Sequence, residues 1–179
     1  NENFHVLGLK IVAHQNVKKR LSEDQQIKAF DRTIPAKPSS YHPDITYTQQ
    51  SHLYFGDHEV QLLHLPAAHT DGDSGIFFTA DNVIHMGDTY FKDKFPYIDL
   101  SSGGSINGLI EATKIVSMMI DDDTVIIPGH GDIASKSDLI KYSNVLVDLR
   151  DKVKQAIANN MSIDEIKEAG YAAEYPDFG

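Results

Sequence analysis

The 179 residues contain no cysteine. Disulfides and thiolate-ligated metal sites are thereby excluded, and cysteine usage gives no reading of the redox compartment. No run of about 18 apolar residues occurs, so no membrane-spanning helix is encoded, and no signal-peptide pattern is visible. Cationic residues are scarce as well. Lys and Arg number 16 against 26 Asp and Glu, a formal net charge of −10 with histidine neutral. Without a basic stripe the chain has little with which to displace counterions from a phosphate backbone, which argues against a nucleic-acid partner. The short run Lys18-Lys19-Arg20 falls in a helical pattern and reads as a solvated face. Asp121-Asp122-Asp123 lacks the glycine and distal glutamate of a calcium loop and reads as a helix end in solvent. No internal repeat or linker-like tract divides the chain, and 41% hydrophobic residues are enough for one domain, residues 1–179, with a real core.

What is present alternates between two periodicities. Lys10 to His14 reads as a short buried strand. Asn16 to about Phe30 has helical character, with Val17, Leu21, Ile27 and Phe30 on one side. Prolines 35, 38 and 43 mark an extended connection. Thr46 to Phe55 and His58 to Leu65 read as a β-hairpin around Gly56-Asp57, and Gly75 to Thr79 with Asn82 to Met86 as a second pair. Ser105 to Met119 has helical spacing, with Met118-Met119 core-like. Thr124 to Ile127 reads as a buried strand. Ser135 to about Asn159 is a long amphipathic helix, and Ser162 to Ala169 a short one with a capping-box spacing. Tyr171 to Gly179 reads as an irregular tail packed by its aromatics. Hairpins with covering helices predict a layered α/β or α+β domain.

One device recurs in this layout. An apolar strand ends, a glycine or small residue lets the backbone turn, and a histidine or aspartate is left at the strand mouth. Leu65-Pro66-Ala67-Ala68 leads into His69-Thr70-Asp71-Gly72-Asp73; Val83 to Met86 ends on Gly87-Asp88; Val125-Ile126-Ile127 leads into Pro128-Gly129-His130-Gly131. Imidazole and carboxylate on rigid strand ends suit a zinc-type site, so His69, Asp88 and His130 are candidate ligands. Singly, each motif is more often a turn or a hydrogen-bonded histidine than a ligand. It is the three in order that raise the metal reading. His85 and His64 read as packed side chains, His52 and His58 as solvated, and His5 and His14 have the wrong spacing to serve.

These three motifs, nineteen and then forty-two residues apart, resemble the later metal-binding motifs of the metallo-β-lactamase-fold hydrolases. The resemblance implies a four-layer αβ/βα sandwich with metals at one sheet edge. It implies two zinc ions, with His69 on the first, Asp88 bridging both and His130 on the second. Zinc-bound hydroxide would then hydrolyse an ester, thioester, lactone or lactam of a small-molecule substrate. Asp71, Asp73 and Thr89 are candidates to orient those ligands. Gly87 and Gly129 would permit close backbone approach, and the loop from Phe91 to Gly104 would line the cleft with Phe95 and Tyr97. Asp88 stands where antibiotic-cleaving members often carry Cys or Ser, so the chain looks more like the broader, glyoxalase II-like branch.

The signature H-x-H-x-D-H of that family is absent from this sequence. Asn1-Glu2-Asn3-Phe4 looks like the residues just after it, so the expectation is a chain lacking the amino-terminal strands and inactive by itself. An uncovered sheet edge would favour a homo-oligomer or swapped dimer. The alternative is a non-catalytic binding module on the same fold. A weaker alternative is a di-iron member, whose extra carboxylate ligands and attached flavin-binding domain leave no trace here.

Overall fold

The computed structural model describes residues 1–27 and 31–179. A five-stranded sheet forms the centre, and its register follows from two tight turns. Strand β5 (Gln50–Phe55) folds back on β6 (His58–His64) through Gly56-Asp57, with Phe55 opposite His58 and Gly56 at φ +61°. Strand β7 (Ser74–Phe78) pairs antiparallel with β6 and with β8 (Val83–Phe91). Strand β9 (Val125–His130) then joins β8 in parallel, which requires a crossover. That crossover is helix α3 (Ile106–Met119).

Helix α3 and helix α4 (Lys136–Ala158) cover one face of the sheet. Both begin where the sequence carries a cap. Ser105 Oγ accepts from Gly108 N, and Ser135 forms a reciprocal capping box with Asp138. Their buried stripes meet Ile84 and Met86 of β8 and Ile126 of β9, and Leu109, Val116 and Leu139 have no exposed surface. Thr113 donates to Ser143 across the helix pair, so these two buried hydroxyls satisfy each other. Helix α5 (Ile163–Glu168) has the expected capping box at Ser162, and Phe178 of the tail packs into the core.

The elements before β5 lie outside this sheet and include two small two-stranded sheets. Helix α1 is Glu2–Val6; strand β1 (Val12–His14) pairs in parallel with β4 (Ile45–Tyr47); helix α2 is Gln15–Leu21; and β2 (Gln25–Ile27) pairs antiparallel with β3 (Arg32–Ile34). No helix among the described residues is long and apolar enough to cross a membrane.

Several sequence expectations fail. The strand expected to end at Met86 runs on to Phe91, so Asp88 lies within β8 and not at a strand mouth. The helix expected from Asn16 to Phe30 stops at Leu21; Gln25 to Ile27 are extended, and Phe30 lies outside the described residues. Ser22 ends the helix by donating to Lys18 O, and Asp24 accepts from Ala36 N, so pairing with β3 overrides the helical spacing. The single strand expected from Thr46 to Phe55 is two strands in different sheets, broken where Thr48 O accepts from buried His14. Met118 and Met119 are exposed, because α3 turns Val116 and Thr113 to the core instead.

The last point gives a stability test. Leu139→Ala should cost about 2–5 kcal/mol in urea unfolding, as for other cavity-forming truncations. Met118→Ala should stay within about 0.5 kcal/mol. Equal effects at the two positions would contradict this packing.

Candidate metal centre

The turn that carries His69 is held from every side. Leu65 and Ala68 are fully buried beneath it, and Leu65 N donates to Asp73 O at 2.9 Å. Ser105, at the start of α3, donates to Ala67 O from both its backbone N and its hydroxyl. Asp73 accepts from Thr70 N and Thr70 Oγ1 at 2.8 and 2.6 Å; burial pushes its carboxyl above the ordinary value, and the Thr70 bonds pull the other way. Arg20 of α2 donates Nε and Nη2 to the two oxygens of Asp71, each at 2.7 Å. The cleft loop is stitched to the same turn, with Asp99 N on His69 O and Asp71 N on Ser102 O.

His69 is oriented by a backbone carbonyl. Its Nδ1 stands 2.7 Å from Tyr97 O. A carbonyl only accepts, so Nδ1 carries a proton. In the neutral ring Nε2 is then the free lone pair, and it faces Asp88, 3.7 Å from Oδ2. The other carboxylate oxygen, Oδ1, is 3.4 Å from His130 Nε2. One aspartate thus stands between two imidazoles and turns a different oxygen to each.

Two glycines make that possible. Strand β8 loses regular pairing with β9 between His85 and Phe91, and Gly87 there adopts φ +53°, a conformation that side chains disfavour. On β9, a Cβ at Gly129 would lie 2.3 Å from Asp88 Oδ1 and 2.6 Å from Gly87 C. Phe91 packs its ring on His130, centroids 4.3 Å apart. Exposure rises across the group, from 17% for the His69 side chain to 41% for Asp88 and 53% for His130, so the cluster opens to solvent on the His130 side.

The three expected ligands therefore meet, but as two pairs sharing Asp88. Among the described residues, no group of three or more His, Cys, Asp or Glu is spaced to hold a single metal ion. The expected orienting residues do other work. Asp71 is tied to Arg20, Asp73 to Thr70, and Thr89 is buried with its hydroxyl on Met86 O; it is the Tyr97 carbonyl that holds His69. Tyr97 also sets its ring edge near the His69 ring, 5.8 Å between centroids. Phe95, expected in the cleft, packs instead on Phe178 at the core. Lys18 and Lys19 are solvated as expected, whereas Arg20 is not.

Two further histidines lie under this turn. His14 and His64 stack with ring planes 2° apart and centroids at 3.7 Å, and His64 Nδ1 donates to Asp73 O. Burial, then His64, hold the His14 imidazole below its ordinary value. No sequence signal pairs residues fifty positions apart in this way.

No protein-family model matches the chain, and no curated protein does. Solved structures do match. One is the BLEG-1 B3 metallo-β-lactamase, at 19% identity and TM-score 0.64, covering 79% of this chain and 67% of that one. The metallo-β-lactamase from Pontibacter korlensis follows at 14% and 0.62, covering 81% and 61%. A third is the DIM-1 metallo-β-lactamase exposed to ceftazidime, at 14% and 0.61, covering 82% and 60%. The chain has the metallo-β-lactamase fold. At these identities the likeness is one of fold, and the matched part spans between three fifths and two thirds of those chains. The α/β class and the metallo-β-lactamase-like architecture expected from the sequence are borne out.

Two outcomes follow from this geometry. In long-range proton–nitrogen NMR, neutral His69 should carry its proton on Nδ1; an Nε2–H tautomer would mean that the Tyr97 contact is not formed. Gly129→Ala should displace Asp88 and cost about 1–3 kcal/mol of stability. Unchanged unfolding together with unshifted His69 and His130 signals would show that β8 and β9 are not packed this closely.

Proposed function

We propose that His69, Asp88 and His130 are three of the ligands of a dizinc centre, and that the complete protein is a hydrolase of an ester, thioester, lactone or lactam. The observation that carries this reading is the division of the Asp88 oxygens between two imidazoles. A bridging carboxylate needs that arrangement and a hydrogen-bonded turn does not. The spacing fits zinc. With bonds of about 2.0–2.2 Å, two donors on one tetrahedral ion stand about 3.3–3.6 Å apart; the His130 pair, at 3.4 Å, falls within that range, and the His69 pair, at 3.7 Å, lies just beyond it. Neutral imidazole and carboxylate are donors that zinc accepts.

Zinc at such a centre lowers the pKa of coordinated water to about 7 and polarises a substrate oxygen. The chain's own contribution is placement. Tyr97 O fixes which His69 nitrogen is free, Gly87 and Gly129 aim the carboxylate, and the exposed His130 side leaves an approach for a small molecule. Two donors per ion are fewer than the four that a closed zinc site uses, so the 179 residues alone hold metal weakly and turn over little or no substrate. A complete centre needs further donors of the H-x-H-x-D-H kind. A non-catalytic module on the same fold is the competing reading, and the coding sequence upstream of Asn1 separates the two.

Calorimetric titration of the chain with zinc tests the proposal. We expect weak binding, reduced at least tenfold by Asp88→Ala. Tight binding of two zinc ions by the chain alone, or weak binding unaffected by Asp88→Ala, would sink it. So would the absence of hydrolysis across an ester, thioester and lactam panel by a longer protein that carries the upstream motif.

A further inference from the structure

Beside the candidate centre lies a cavity of about 320 Å³. It is roughly twice the size of an engineered apolar cavity that takes benzene. Helix α2 supplies Val17 and Leu21 to its wall, strand β2 Ile27, and β3 with the following residue Ile34 and Pro35. Its floor is the turn that carries the first candidate ligand, through Thr70 and Gly72, and its far side is Asp99 and Ser102 of the cleft loop. Asp99 N bonds the carbonyl of His69, so one lining residue is tied directly to the turn that carries that histidine.

Most polar groups of that wall already have partners within it, while Lys37, which also lines the cavity, holds its ammonium over the Tyr41 ring, 5.9 Å from the centroid. Arg20 is paired with both Asp71 oxygens and reaches Gln25 at 3.1 Å. Thr70 donates to Asp73. Asp99 accepts from the backbone of Ser101 and Ser102. The surface left to meet a ligand is therefore mainly aliphatic, with the Lys37 side chain beside it, and no aromatic ring is among the described lining residues. A pocket of this size, mostly apolar and edged by a few fixed polar groups, is built like a small-molecule site. Among the described lining residues a flat ring finds no aromatic partner to stack on, whereas a flexible alkyl chain fits branched aliphatic walls.

We propose that this cavity is an acyl-chain subsite, taking an unbranched aliphatic chain of medium length while the carbonyl end of the same molecule lies toward His69 and Asp88. The assignment of the carbonyl end rests on the hydrolase reading; occupation of the cavity by an alkyl chain does not. Sequence alone gives no hint of it, because the wall combines residues of a helix, a hairpin and two distant turns.

Straight-chain alkanoates from butyrate to dodecanoate, titrated into the chain without metal, provide the test. Affinity should rise about fourfold per added methylene until the cavity is full. Methyl resonances of Val17, Leu21, Ile27 and Ile34 should shift, and those of Leu149 and Val153 in the open groove between α3 and α4 should not. Ile34→Phe should weaken decanoate at least tenfold, and Ile34→Ala should move the preferred length upward. Length-independent binding, shifts confined to the other groove, or indifference to both Ile34 substitutions would overturn the subsite. If zinc binding fails its own test while the length dependence holds, the hydrolase reading falls and the alkyl-binding cavity remains.

Discussion

Everything near the candidate centre depends on how closely β8 and β9 approach at Gly87 and Gly129. The strands are parallel neighbours, yet their regular pairing lapses between His85 and Phe91. A β-carbon at position 129 would sit 2.3 Å from the Asp88 carboxylate. Only with that atom missing can the carboxylate lie against the β9 backbone and face His130. Gly87, at positive φ, breaks the regular geometry of β8 just before Asp88, where the pairing with β9 lapses. Backbone geometry therefore sets the aspartate before any electrostatic attraction acts.

The opposite side of the centre is fixed by polar contacts. His69 sits on a turn that Asp73, Asp71 and Ser105 each tie to a different part of the chain. The Arg20–Asp71 pair is bidentate but about 30% exposed on both sides, so its net stabilisation is modest. Its effect is positional: it fastens α2 to the turn, and the turn to the cleft loop that brings Tyr97 O to the His69 ring. The carboxylates nearest to His69 in sequence are occupied by this bracing, which leaves the orienting role to a carbonyl 28 residues away.

Much of this was legible in the chain, and the losses have identifiable causes. Elements with a cap and a long period were read well: Ser105 and Ser135 start helices, and Gly56-Asp57 turns a hairpin; the three motifs carry the residues that meet, though Asp88 does so from within β8. Element type failed where tertiary pairing overrides local spacing. Gln25 to Ile27 carry a helical pattern but pair with β3, and Met118 is apolar yet faces solvent because α3 presents Thr113 and Val116 to the core. The partner of the His69 ring was not foreseen for a different reason. Proximity in sequence suggested Asp71 and Asp73, whereas hydrogen bonding to a main-chain carbonyl leaves no mark in side-chain identity. The His14–His64 stack and the aliphatic cavity are invisible for the same reason: both are made by elements far apart in the chain.

Charge sets a limit on what three side chains can do. Two divalent ions about 3.75 Å apart repel by about 18 kcal/mol at an effective dielectric of 20. Against this the cluster offers one negative charge, on Asp88, and two neutral imidazoles. A single carboxylate bridging two cations attracts both, but it cannot neutralise four positive charges. The proposed centre therefore demands further anionic donors and is not simply short of coordination number. That requirement bears on which additional residues would complete it. A pair of histidines would fill vacant positions without relieving the repulsion, whereas an added aspartate does both. The H-x-H-x-D-H motif supplies two histidines and an aspartate with a third histidine, a composition that answers the electrostatic need left by His69, Asp88 and His130.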